Sequence, residues 1–291
     1  MKASEFLEEV LKYDNCPENF KSIYAEFQTY QLAVLETLKE FHRVCEKNHI
    51  DYQLSYGSLL GLIRDGGQIP WDYDVDVIVA YEDKDSLVKA LNNDLKNDYY
   101  YYSPENNPKC RHMIMRLAPI SFRTEALHVD VFFLTGAPDN TEERRAFVHR
   151  IKQLSEIRYG KYVNLFEESI GSPRRFLSLL IRRKMPALCY SIKKLDREYK
   201  DLCSKYKVRE SEICVSADAY ADWREYPSKI LWETKVISTS FGEIRIPVHY
   251  DELLKLMYGE YMSIPMLDDR IREVMYNYNR IQYYSRKSVR R

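Results

Sequence analysis

The chain has 291 residues, 45% hydrophobic and 30% charged, with 44 Lys/Arg balanced by 44 Asp/Glu. That length carries a full core, as one large domain or two small ones, and a zero net charge excludes a general nucleic-acid binder working through a basic surface. No uninterrupted apolar run approaches the roughly 20 residues of a membrane helix, and the opening MKASEFLEEVLKYD lacks the apolar centre of a signal peptide, so a soluble, cytoplasmic protein is expected. The six cysteines are scattered, without a CxxC pair or a Cys/His spacing for zinc, and read as reduced, mostly buried thiols. Residues 1–27 read as a short helix and a connector around Pro17. Residues 28–48 set Leu32, Leu35, Leu38, Phe41 and Cys45 at helical spacing, which predicts a helix packed on a sheet. His42 and His49 have no partner ligands at a fixed spacing and read as surface or packing residues.

Residues 52–56 read as a first strand running into Gly57-Ser58 and a short helix, 58–64. A helix N-terminus offers N–H groups to an anion, which suits Ser58 to a phosphate. Gly61 allows close packing on a neighbouring backbone, and Asp65-Gly66-Gly67 is a turn. Ile69-Pro70-Trp71 leads into an alternating strand. Asp74 and Asp76 share one face of it, and Val75, Val77 and Val79 the other. Two adjacent carboxylates repel unless a cation lies between them. Mg²⁺ answers this, since it takes oxygen ligands from one or two carboxylates plus substrate phosphates. Trp71 reads as a core wall or a stacking platform, with the core favoured. Asp72 caps the turn or supports the metal from outside its ligand shell, and we favour the support.

The run Gly57-Ser58-Leu59-Leu60-Gly61, Arg64, Ile69-Pro70-Trp71-Asp72 and Asp74-Val75-Asp76 resembles the signature of the DNA polymerase β-type nucleotidyltransferase superfamily. Within it, the run closely resembles the LicD family of phosphotransferases, to which the fukutin-type proteins are related. A Gly-Ser pair alone carries little weight; a combined run of over twenty residues is specific. The resemblance implies a nucleotidyltransferase-like fold, a divalent metal (Mg²⁺ or Mn²⁺) and a CDP-alcohol donor such as CDP-choline. It also implies a glycan or lipid-linked glycan acceptor.

Downstream, 84–97 reads as a helix, 99–102 as a strand of tyrosines, and 103–108 as a loop. Residues 111–118 and 128–135 read as strands. Asp130 sits in an otherwise apolar strand, where an unpartnered charge is unfavourable. It matches the third metal carboxylate that the superfamily carries on a later strand; the plainer reading is an edge-strand Asp facing water. Arg116 on the neighbouring strand and Arg64 at the helix end have the bidentate donors that suit phosphate, with an ordinary salt bridge as the alternative for each.

Residues 141–200 hold 15 Lys/Arg against 7 Asp/Glu. The stretch 174–184, RRFLSLLIRRK, is apolar at its centre and basic at both ends, which suits either peripheral contact with an anionic membrane or a buried helix with solvated flanks. A helix is expected over 187–206. Residues 220–223 are polar-aromatic, 235–247 read as a β-hairpin around Gly242, and the tail 286–291 as basic and mobile. The segment 244–264 resembles a second LicD motif. Tyr258-Gly259-Glu260-Tyr261-Met262 is intact, whereas His249 and Met266 replace prolines and Tyr73 replaces an acid common upstream. Tyr258 reads as packing, and Tyr261 as packing or substrate contact.

The expected fold is α+β: a nucleotidyltransferase-like core (a mixed β-sheet flanked by helices) over 28–140, a basic helical insertion over 141–210, and a C-terminal α/β segment over 211–291 completing the site. Residues 1–27 form the N-terminal connector. The expected activity is transfer of a phospho-alcohol from a CDP-activated donor to a hydroxyl of a lipopolysaccharide, teichoic acid or capsule-type glycan. Asp74, Asp76 and Asp130 would be catalytic and hold the metal. Gly57, Ser58, Arg64, Asp72, Arg116 and Tyr261 would contact substrate. The alternatives are a nucleotidyltransferase moving NMP from an NTP, and a non-catalytic glycan-binding protein. A location at the inner face of the membrane is compatible with the first reading.

Overall fold

The structure, a computed structural model, describes residues 1–122, 126–169, 172–218 and 224–288. Helix α1 (Ala3–Leu11) precedes the long α2 (Phe20–Lys47), strand β1 (Tyr52–Leu54), α3 (Tyr56–Arg64) and β2 (Val75–Ala80). Then come α4 (Lys84–Asp94), β3 (Tyr99–Tyr102), β4 (Met115–Pro119) and β5 (Val129–Gly136). A helical stretch follows: α5 (Thr141–Tyr162), α6 (Leu165–Glu168), α7 (Pro173–Leu179), α8 (Met185–Leu188) and α9 (Ile192–Cys203). The chain closes with β6 (Ile213–Ser216), β7 (Tyr226–Pro227), α10 (Ser228–Trp232), the hairpin β8 (Thr234–Thr239) and β9 (Gly242–Pro247), α11 (Tyr250–Tyr258) and α12 (Leu267–Ser288).

The main sheet has the order β1-β2-β5-β4-β3, with β6 joining β5 and β7 joining β6. Among the described residues only β2 and β5 run parallel; the other pairs are antiparallel. This mixed sheet with helices around it is the expected α+β architecture. Both parallel strands are rich in Val, Ile and Phe because they lie at the centre of the sheet.

Helix α2 covers one side of the sheet and buries the expected Leu38, Phe41 and Cys45, with Leu35 packed at the edge; Leu32 alone of the expected positions departs. Leu32 is exposed, while Tyr24, Phe27, Val34, Leu38, Phe41 and Val44 are buried. The helix begins at Phe20, eight residues before the expected start at 28, so the N-terminal half of its apolar face is set by aromatics that looked scattered in the sequence. Tyr52 joins this layer to the hairpin: it stacks edge-on to Phe41, its hydroxyl lies 2.9 Å from His42 Nδ1, and it accepts the Arg245 N–H. In the hairpin, Gly242 adopts φ +118°, which other residues rarely take.

The terminal helices brace the segment leading into β2. Arg270 of α12 pairs with Glu9 of α1 and stacks over Trp71, and Arg280 donates to the Tyr73 hydroxyl at 2.7 Å. Residues 286–288, expected as tail, continue α12, and 289–291 lie outside the described residues. The polar-aromatic stretch 220–223 also lies outside them.

Candidate active site

Strand register puts the acidic groups together. Asp76 pairs with Asp130 across parallel β2 and β5, and Arg116 pairs with Asp130 across antiparallel β4 and β5. Directly paired residues project from the same face. Asp72, Asp74 and Asp76 are half-buried and alternate with buried Tyr73, Val75 and Val77, the period of an extended chain. His128 precedes Asp130 by two residues and shares its side.

Helix α3 is fastened to this face at Asp76. The Asp76 N–H donates to Ser58 Oγ at 2.8 Å, and the Ser55 N–H donates to the Asp76 carbonyl at 3.0 Å. The first-turn N–H groups of a helix have no intrahelical acceptor, and the Ser55 side chain does not cap them. Tyr56 enters the helix with φ 47°, in the left-handed region. A Cβ on Gly57 would lie 2.9 Å from Asp72 Oδ2, so glycine lets that carboxylate approach the helix end. Ser58, expected to face a phosphate, thus also ties helix to strand. Gln31 donates to the Asp72 carbonyl at 2.6 Å and Gln68 to the Asp74 carbonyl at 3.1 Å, fixing the backbone that carries the acids.

Asp130 is 2% exposed. Its Oδ1 accepts from Arg116 Nε at 2.6 Å, and His128 Nε2 lies 3.3 Å away. Burial alone pushes this carboxyl up, but the Arg116 and His128 charges and hydrogen bonds hold it well below the usual range. Asp74 and Asp76 behave oppositely. Desolvation, then the charges of the neighbouring acids, push both well above the usual range. Asp72, hydrogen-bonded to Asp74, is also raised, chiefly by desolvation. His112 is pushed down to about 3 by burial and by Arg116 and Arg111.

One ligand atom each from Asp74, His128 and Asp130 lies within 4.8 Å of the others, close enough to share a cation. Asp76 joins them from the same face. The face therefore gathers Gly57, Ser58, Asp72, Asp74, Asp76, Arg116 and Asp130. Arg64 and Tyr261 are engaged elsewhere. Arg64 pairs with Asp65 at 2.8 Å, donates to the Ser263 carbonyl at 3.1 Å and lies over Trp71. Tyr261 donates to Asp251 at 2.7 Å. Through Ser263, Arg64 ties the second motif segment to α3. His128 is the residue the sequence reading passed over. Its signal was present: His-x-Asp on a strand has the same one-face spacing as Asp-x-Asp.

Comparison with known proteins agrees with this geometry. Residues 49–163 match the family described as LicD/FKTN/FKRP, nucleotidyltransferase domain. The lipopolysaccharide cholinephosphotransferase LicD of Haemophilus influenzae is 23% identical over 251 residues, 82% of this chain and 92% of that protein. The human ribitol 5-phosphate transferase FKRP is 47% identical over 51 residues, 18% of this chain and 10% of that protein. With the glycine-aspartate run and the acidic face built from it, this chain carries a LicD-family domain across residues 49–163.

Proposed function

We propose that the protein is a metal-dependent phosphotransferase that moves a phospho-alcohol from a CDP-activated donor, such as CDP-choline, to a hydroxyl of a cell-surface glycan. The observation that carries this reading is the single sheet face gathering Asp74, Asp76, Asp130 and His128 beside the N-terminus of α3. The activities named for the two relatives, one a choline-phosphate and the other a ribitol-phosphate transferase, support phospho-alcohol transfer as the class.

Asp74, Asp76 and Asp130 would hold the divalent ion. The imidazole of His128 in the same cluster makes Mn²⁺ as acceptable as Mg²⁺. A cation held there would supply neutralisation of the negative charge on the donor phosphates. The first turn of α3, opened by Gly57, receives the donor diphosphate through backbone N–H groups. The acceptor oxygen attacks the phosphorus that bears the alcohol. The bond from that phosphorus to the CMP oxygen breaks, and CMP departs with the electron pair. Asp130, kept ionised by Arg116 and His128, accepts a hydrogen bond from the acceptor hydroxyl and orients it, and the proton is released to solvent as the new P–O bond forms. Arg116 keeps Asp130 oriented throughout. Among the described residues no helix is long and apolar enough to cross a membrane; a cytoplasmic site of action, peripheral at the inner membrane face, fits the reading.

Phosphorus NMR with Mg²⁺ or Mn²⁺, glycan acceptor and a panel of CDP-alcohols and NTPs tests it. CMP release from one CDP-alcohol, abolished by Asp74→Asn in a protein that still folds, is expected. Pyrophosphate release from an NTP would make the protein a nucleotidyltransferase. Glycan binding without any product would make it a binding protein, and equal turnover by Asp74→Asn would remove the site assignment.

A further inference from the structure

Residues 173–188 form one unbroken surface helix: α7, a π turn over 180–184, and α8. The π turn has a local cause. Pro186 lacks an N–H and its ring crowds the carbonyl four residues back, which the wider turn relieves. The inner side packs closely on α5: a Cβ on Gly160 would meet the Arg183 carbonyl oxygen at 2.3 Å, and Ala187 is fully buried. The outer side is apolar and uncovered. Leu177, Ile181, Met185 and Leu188, spaced four, four and three apart, are 54–60% exposed, and Phe166 beside Phe176 is 78% exposed. A soluble helix ordinarily turns such a stripe inward.

The charge along the 173–188 helix is of one sign, with Glu167, Glu168 and Asp196 beyond its two ends. From residue 169 to 195 there are seven Lys/Arg and no Asp/Glu, leaving the rest of the chain with 37 Lys/Arg against 44 Asp/Glu. Arg174, Arg175 and Arg182 are exposed. A neutral molecule polarised in this way turns its basic helix towards an anionic surface. Aliphatic side chains between the cations are wasted on a polyanionic glycan, and two copies of the stripe would bring like charges together. A phospholipid surface takes both components at once, acyl boundary for the stripe and phosphate for the arginines.

We propose that the 173–188 helix docks the protein on an anionic phospholipid membrane, its apolar stripe entering the headgroup layer and its arginines pairing with lipid phosphates. The helix is also braced to the catalytic sheet. The Tyr159 ring of α5 lies 5.0 Å from the Arg183 guanidinium and 5.6 Å from that of Arg111, with the His112 ring at 5.5 Å. Residues 111 and 112 lead into the strand of Arg116. Docking rests on the helix alone and not on the reaction proposed above.

Flotation of the full chain with phosphatidylcholine vesicles, with or without phosphatidylglycerol, tests this at low and high salt. Binding to the anionic vesicles alone, weakened by salt, is expected. Arg174→Ser/Arg175→Ser/Arg182→Ser should lower partitioning by about a hundredfold, and Leu177→Ser/Ile181→Ser by at least about tenfold, with melting temperatures unchanged. Asp74→Asn should float like the natural protein, which separates failure of docking from failure of the reaction. No flotation, equal flotation with neutral vesicles, or flotation kept by both surface variants would overturn the proposal. So would a dimer that Leu177→Ser/Ile181→Ser dissociates in the absence of lipid.

Discussion

Gly61→Ala isolates how closely the site loop is held against α3. A methyl group at this position would lie 2.7 Å from the Gly67 carbonyl oxygen and 2.8 Å from both the Ile69 nitrogen and its Cγ1. Ordinary contact begins at 3.4 Å, and two of the three atoms are backbone, so rotamer change cannot relieve the overlap. Alanine in a helix gains about 1 kcal/mol over glycine. Overpacking of this kind costs about 1–3 kcal/mol, here at the upper end because backbone must move, so the net loss is about 1–2 kcal/mol. For a chain of this size that lowers the melting temperature by roughly 2–3 °C. The displaced segment, 67–69, leads directly to Asp72 and Asp74. A shift of a fraction of an ångström there should cost about tenfold in turnover, since a 1 Å misplacement can cost about a hundredfold. Calorimetry and the CMP-release assay read the two effects separately. A Gly61→Ala protein as stable as the natural one, or more so, would refute the close-approach reasoning, because helix propensity alone would then account for the change.

Arg116→Met leaves Asp130 buried beside His128 without its guanidinium; urea unfolding should show a loss of about 3–5 kcal/mol, and Arg116→Met/Asp130→Asn should recover much of it. His128→Gln should weaken Mn²⁺-induced thermal stabilisation by about 10–100-fold in apparent affinity, the range for groups that orient metal ligands; unchanged stabilisation would remove His128 from the cluster. Glu105 gives a pH prediction away from the site. Burial raises its carboxyl, but Lys84 at 2.7 Å lowers it further, so its net shift is below the ordinary 4.5. A depressed acid stabilises above its unfolded pKa and loses that contribution as pH falls through the folded value. Glu105→Gln should therefore be less stable at neutral pH, with the difference fading below about pH 4.5; a constant difference down to pH 3 would show that the charge is not responsible.

Much of the acidic face was legible because a strand's period of two is local information. Asp74, Asp76 and the opposing valines announced their sides without knowledge of the partner strands. That Asp130 and Arg116 would meet across β5 and β4 depended on register, which no local pattern supplies; the resemblance supplied Asp130. His128 was legible by the same alternation and went unread. The C-terminal half of the buried face of α2 was legible from Leu38, Phe41 and Cys45; its N-terminal half was not, because Tyr24 and Phe27 rather than Leu32 face the core there. The exposure of 173–188 could not be read either: a sequence of apolar and basic residues looks alike whether its stripe is covered or open. Arg64 and Tyr261 were read as substrate contacts from motif position, whereas the carboxylates and carbonyl that engage them become neighbours only once the chain has folded back.

The brace of α1 and α12 on Trp71 and Tyr73 has a consequence for biosynthesis. The strand bearing Asp74 and Asp76 leaves the ribosome early, yet two of the arginines that steady its approach, Arg270 and Arg280, come about 200 residues later. Until they arrive, the nascent sheet carries clustered acids on a segment held only by its earlier contacts. Assembly of the catalytic face is thereby coupled to synthesis of α12, and a ribosome stalled before that helix would leave a chain with Asp72, Asp74, Asp76 and Asp130 all present and the lead-in to β2 unbraced.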